Sequence, residues 1–205
     1  QLINALRGHC AEFGIVVAQG AFRVNELIAI ISDVDDTRIH RVARQALGHL
    51  VEQLHQTKAN LKTLEVELKS IAKNCADCQR LETIRGVGYI TATAMVATIG
   101  TGKQFNSGRE LAAWLGLVPR QNTSGNKQKL GRISKRGDAY LRRLLVHGQR
   151  AATLRWRRED GSKQAAWVQS LMQRRPTNVV LVAMANKTAR TIWALLTKQE
   201  TYRLI

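Results

Sequence analysis

Ten positions, Ala43, Leu47, Leu50, Leu54, Thr57, Leu61, Leu64, Leu68, Ile71 and Cys75, recur in alternating steps of four and three. No glycine or proline interrupts this seam after Gly48. Side chains so spaced share one stripe of an α-helix, so the segment is bound to a long helix whose stripe needs a partner. Leu47, Leu54, Leu61 and Leu68 take the a positions of a heptad, and Thr57 is a polar intrusion at d of the sort that weakens or registers a coiled coil. Two arrangements satisfy the stripe: a self-associating coiled coil over residues 38–80, or one long amphipathic helix packed on its own domain.

Upstream, Leu2 to Phe13 and Asn25 to Ile31 have the composition of shorter helices separated by Gly14 and Gly20. Ser32 to Thr37 supplies helix-capping chemistry before the long helix. Its aspartates, Asp33, Asp35 and Asp36, suit caps and turns better than a metal cluster, because no second acidic cluster offers partner ligands.

Charge divides the chain further. The 205 residues carry a net charge of +17, yet residues 1–80 hold ten basic and nine acidic residues. Residues 81–205 hold the remaining twenty-two basic and six acidic ones. A polyanion offsets the self-repulsion of such a surface, which points to nucleic acid. With 44% hydrophobic residues and only two prolines, the chain can close a core and is not a disordered basic tail. The longest uninterrupted apolar run, Val179 to Ala185, falls well short of the roughly 20 residues that span a bilayer. Three cysteines and no leader sequence fit a reducing cytoplasm.

The Cys75-Ala76-Asp77-Cys78 pair lacks the second Cys or His pair of a structural zinc site and the strand-to-helix setting of a redox motif. No metal site is expected here. More specific is Leu81 to Ala92, which reads as a helix, a turn at Arg85-Gly86-Val87-Gly88, and a second helix through Ile90, Ala94, Ala97 and Ile99. This is a helix-hairpin-helix pattern, whose two glycines allow turn conformations closed to other residues. Its turn amides and new helix N-terminus suit a DNA phosphate, which makes Arg85, Gly86 and Gly88 binding candidates. A plain helix corner is the alternative. Ser107 and Glu110 then have capping-box spacing before a short buried helix stopped by Gly116 and Pro119.

From Arg120 to Arg158 the chain holds twelve Lys or Arg and one acid, Asp138. Its first part, rich in Gly, Asn and Lys, predicts a flexible loop that orders on something negative, with Arg120, Lys127, Lys129, Arg132, Lys135 and Arg136 as cations for nucleic acid. Thr123, Ser124 and Ser134 place hydroxyls among those cations, and a serine attacking phosphorus needs such neutralisation. The plainer assignment gives Ser124 a turn and Ser134 the cap of the next helix. That helix, Tyr140 to Arg150, turns Leu141, Leu144 and Leu145 inward and lines Arg143, His147 and Arg150 along a stripe fit to track a phosphate backbone. A last helix starts at Pro176-Thr177-Asn178 and runs through Val179, Val182, Ala183, Ala189, Ile192, Trp193 and Leu196, with an apolar face wide enough to be core.

Ile84 to Gly88, Ala112 to Gly125 and Gly131 to Asp138 together resemble the C-terminal domain of the bridge-RNA-guided insertion-sequence transposases, the one-hundred-and-ten family, nearest its eleven-eleven subgroup. The likeness is motif-specific over residues 81–155, and Gln1 to Gly8 with Phe13 to Ile15 looks like the end of that family's first domain. Asn126 departs from the family, many of whose members carry a second glycine there. The resemblance implies that Ser124 is the nucleophile, forming a covalent phosphoserine link with DNA. It also implies that a RuvC-like upstream domain with four acidic residues supplies Mg²⁺ in a composite site, and that the partners are DNA, a guide (bridge) RNA and further copies of the chain.

The chain is therefore expected to be all-α: residual upstream domain and connector at 1–37, coiled coil at 38–80, and a C-terminal transposase domain at 81–205 with a helix-hairpin-helix, the basic Ser-Gly loop and a helical core. Beginning at Gln1, it is expected to be the later portion of a longer enzyme, binding nucleic acid without a cofactor of its own and inactive alone. The other function class open to it is a non-catalytic helix-hairpin-helix module that binds DNA or RNA.

Overall fold

A computed structural model describes residues 1–20, 22–121, 130–156 and 162–202. The fold is all-α apart from one two-stranded ribbon among the described residues. The chain divides into two compact units, Gln1–Val66 and Glu67–Ile205, with the boundary inside the longest helix.

In the first unit, α1 (Leu2–Glu12) and α2 (Val24–Ser32) pack with the start of α3 (Arg41–Asn74). Leu6, Cys10, Val24, Leu27, Ile31, Leu47, Val51 and Leu54 form its core. Burying branched and long apolar side chains is what stabilises so small a unit, at roughly 25 cal/mol per Å² removed from water. The aspartates before α3 make turns rather than its cap: Asp33 accepts from the Asp35 N–H and Asp36 from the Arg38 N–H, both at 3.0 Å. The Arg38 guanidinium beside Asp36 holds that carboxyl down at about 2. Arg44 closes the connection by donating to the carbonyls of Ile30 and Ile31 at the end of α2, at 2.9 and 2.8 Å.

The seam of α3 has two fates. Leu47 and Leu54 are 3% and 5% exposed in the first unit's core, so that half packs on its own domain. Leu61, Leu64 and Ile71 stand more than half exposed. The helix stops at Asn74, where Cys75 turns extended and its sulfur accepts from the Cys78 N–H at 3.4 Å, opening α4 (Ala76–Glu82).

The second unit is built on α9 (Thr177–Lys198). Around it pack α4, α6 (Gly108–Trp114), α7 (Ala139–Trp156) and α8 (Lys163–Arg174), while α5 (Tyr89–Ile99) packs on α4 and α7. Leu81, Met95, Leu111, Leu115, Leu141, Leu145 and Ile192 fill the centre. By length and composition α9 could cross a membrane, but half of that apolar stretch is buried inside the protein, and Leu181, Met184, Ala185, Ala189 and Leu196 serve as core. The last-helix face expected from the sequence is corrected at its start: Val179 is 52% exposed, and Val182 and Ala183 are only half-buried.

Between α6 and α7 the sequence predicts a loop, and the structure instead forms an antiparallel ribbon of β1 (Pro119–Gln121) and β2 (Leu130–Ile133). Its strands, of three and four residues, are too short to announce themselves by apolar alternation.

Candidate nucleic-acid interface

The turn between α4 and α5 is fixed from behind. Val87 donates to the Ile84 carbonyl at 3.0 Å, and Gly86 takes a φ of +86°. A Cβ on Gly86 would lie 2.6 Å from the Gln149 amide nitrogen and 2.8 Å from the Gly148 carbonyl oxygen of α7. Gly86 is thus required twice, for its conformation and for the close approach. Gly88 is different, and the expectation that both glycines need unusual backbone is corrected. It has φ −103°, ψ 177°, extended backbone open to any residue, and a Cβ there would meet nothing within 4 Å. The Val87 amide is spent inside the turn, while the N-terminus of α5 has no side-chain cap, so the amides of its first turn are among those a phosphate can reach. On α5 the buried face is Thr91, Ala92, Met95 and Ile99, leaving Ile90 40% exposed.

The two further segments that carry the family resemblance interlock through backbone. Gly116, at φ +70°, faces Arg136, and a Cβ there would be driven into the Arg136 carbonyl. Gly137, at φ +92°, faces the Trp114 carbonyl in the same way. Lys135 donates its N–H to the Gly116 carbonyl at 3.1 Å, Ser134 donates to Val118 at 2.8 Å, and the Arg142 side chain donates to Leu115 at 2.9 Å. Asp138, the lone acid of the basic stretch, caps α7 by accepting from the Tyr140 and Leu141 N–H groups at 2.7 and 2.8 Å. The assignment of Ser134 as the cap of α7 is therefore corrected. The Ser134 carbonyl instead accepts from Arg120 at 3.3 Å.

The ribbon and the segment after it bring Arg120, Arg132, Lys135 and Arg136 to the surface, all exposed. Arg143, His147 and Arg150 form the expected exposed stripe on α7, with Leu141 and Leu145 buried opposite, and Arg150 donates to the Asn178 side chain at 3.2 Å. Arg85 is half-buried, and its carbonyl accepts from Gln149. Ser124, Thr123, Lys127 and Lys129 lie outside the described residues.

Two cations that the sequence does not single out, Lys187 and Arg190, stand exposed on α9 and line, together with Arg132 and Lys135, an open groove of about 1370 Å³. They share a helical stripe with Val179, Val182 and Ala183, a signal hidden because the whole run has the composition of core. Helix α8, which also lines the groove through Trp167, is likewise absent from the expected elements, although Ser162 caps it and Ala165 and Val168 are its buried side.

Among the described residues no group of three His, Cys, Asp or Glu side chains converges to hold a metal ion. The Mg²⁺ that the resemblance implies finds no fit in these residues. Burial pushes the Cys78 thiol up to about 12, with the Cys75 side chain adding to the effect, which keeps Cys78 protonated near neutral pH.

Fold and site define an all-helical basic protein that presents a cationic β-ribbon buttressed by glycine-mediated backbone contacts. Residues 78–166 match the transposase family IS116/IS110/IS902. The chain is 44% identical over 202 residues to the transposase for insertion sequence element IS1111A of Coxiella burnetii, covering 98% of this chain and 55% of that protein. It is 36% identical over 203 residues to the transposase for insertion sequence element IS1328 of Yersinia enterocolitica, covering 95% of this chain and 57% of that protein. It belongs to the IS116/IS110/IS902 transposase family, and it spans little more than half the length of these curated relatives.

Proposed function

We propose that the chain is the DNA-handling portion of a transposase that cuts and exchanges DNA strands through Ser124. The Ser124 oxygen attacks a DNA phosphorus, the bond from phosphorus to one bridging oxygen breaks, and the serine proton ends on that leaving oxygen. A phosphoserine link and a free hydroxyl end result. Attack on that link by a hydroxyl end of another strand breaks the phosphorus–serine bond, returns a proton to the serine oxygen and completes the exchange without hydrolysis. The cations of the ribbon and of α7 neutralise the phosphates, and the turn before α5 adds a further phosphate contact in the manner of a helix-hairpin-helix. Guide RNA and the metal-binding carboxylates come from outside this chain, and no step is assigned to the metal here.

The observation that carries this reading is the identity to an insertion-sequence transposase along nearly the whole chain. In the full-length protein, Ser124→Ala should abolish the covalent protein–DNA adduct on a denaturing gel while leaving DNA binding within about twofold. Persistence of the adduct would move the nucleophile to Ser134 or Tyr140. Absence of any adduct in the unmodified full-length protein would leave a non-catalytic binding module.

Assembly belongs to the same proposal. The exposed Leu61, Leu64 and Ile71 continue a heptad whose earlier residues are already covered, and a second copy supplies the missing partner as a coiled coil. Leu61→Glu with Leu64→Glu should then lower the sedimenting mass to that of one chain. An unchanged mass removes the coiled coil as the assembly contact.

A further inference from the structure

The groove beside the ribbon has a composition that duplex phosphate does not explain. Its floor is apolar, made by Val179, Val182 and Ala183 of α9 with Trp167 of α8, and among the described residues four cations, Arg132, Lys135, Lys187 and Arg190, and no acidic residue line it. Arg132 belongs to β2 and Lys135 to the segment after it, while Lys187 and Arg190 continue the α9 stripe that begins with Val179, Val182 and Ala183. The Lys187 ammonium sits 4.9 Å from the centre of the Trp167 ring, a cation–π contact that keeps its charge at the groove edge.

We infer that this groove holds an unpaired stretch of nucleic acid, its bases against the apolar floor and its phosphates on the cations of the ribbon segment and of α9. The outside of a duplex offers sugar and phosphate and keeps the base faces stacked away, so it leaves an apolar floor unused. A strand with unstacked bases brings both things the groove accepts: a flat apolar face for every base and one negative charge for every nucleotide. An acidic amphipathic helix matches the rim as well, but it brings rounded aliphatic side chains in place of planar faces to the Trp167 side. Strand exchange must pass through unpaired DNA, so this inference rests on the proposed transposase reading and deepens it by assigning where such a segment lies.

The test uses the 205-residue chain and fluorescence anisotropy with a labelled twelve-nucleotide single strand and the blunt duplex of the same sequence. Val179 is 52% exposed, so Val179→Glu puts a charge on the floor without entering the core. It should weaken single-strand binding about tenfold and duplex binding less than twofold. Lys187→Ala, at an exposed site, should reduce the salt slope of single-strand binding by about 1. Equal losses on both probes, or none on either with the thermal midpoint unchanged, would overturn the inference. A photo-crosslinking amino acid at Val179 decides the occupant: adducts with the single strand support it, and adducts with a second copy of the chain, or none, reject it. The adduct assay on Ser124 reads a different residue and a covalent product, so the groove can fail while the transposase reading stands, and the reverse.

Discussion

The Gln149 side chain donates a 3.1 Å hydrogen bond to the carbonyl of Arg85, joining α7 to the turn before α5 across 64 residues of sequence. Gln149 is 1% exposed, and a carbonyl facing an interior helix has no water to replace a lost donor. Gln149→Leu keeps most of the volume and removes the donor, so it should cost about 1–3 kcal/mol in urea unfolding. A loss below about 0.5 kcal/mol would show that the contact contributes packing alone.

The same junction separates two glycines that look alike in sequence. A Cβ on Gly148 would be driven into the Gly86 carbonyl oxygen, backbone against backbone. Gly148→Ala should therefore destabilise the second unit by about 3 kcal/mol, since neither partner can swing aside. Gly88→Ala should stay within about 0.5 kcal/mol of the parent, its extended backbone and open surroundings accepting a methyl group. Thermal unfolding of the two variants side by side checks both statements.

Capping of α7 gives a third comparison. Asp138→Ala removes an acceptor for two amides at the start of an 18-residue helix and should cost about 1 kcal/mol. Ser134→Ala touches no amide of that helix and should be neutral within about 0.5 kcal/mol by chemical denaturation.

Cysteine chemistry is set by burial. Cys78 is 1% exposed with its thiol raised to about 12, and Cys10 is fully buried with its thiol raised for the same reason. At pH 8 a thiol titrating near 12 is only about 10⁻⁴ thiolate, so iodoacetamide should label the half-buried Cys75 before either. Folding holds the Cys78 proton above its ordinary value near 9, so the stability this contributes is complete below pH 9 and is lost as pH rises toward 12. Mass spectrometry of the alkylated native chain follows the order of labelling. Early modification of Cys78 would show that it is open to solvent.

Local rules make much of this fold legible in the sequence. The seam of α3, the Ser107–Glu110 cap, the Pro176 start of α9 and the exposed Arg143–His147–Arg150 stripe depend on neighbours three or four residues apart, which periodicity records. Gly86 announces a turn, but nothing in Gly-Val-Gly distinguishes a glycine pressed on α7 from one in open extended backbone. That distinction depends on Gly148 and Gln149, far away in the chain.

What the sequence by itself determined is the all-helical class, the near-neutral first part and the cationic second, and the motifs that tie the chain to its family. These follow from spacing, capping and charge, all properties of the chain before it folds. Only the tertiary structure decided that half of the α3 seam is spent on its own unit, that Arg120 and Arg132 ride on a ribbon, and that α9 turns Val179, Lys187 and Arg190 to a groove while Leu181 and Met184 face the core. The physical reason is that each of these depends on which surfaces meet, and a helix with two apolar sides does not say which of them a neighbour will cover.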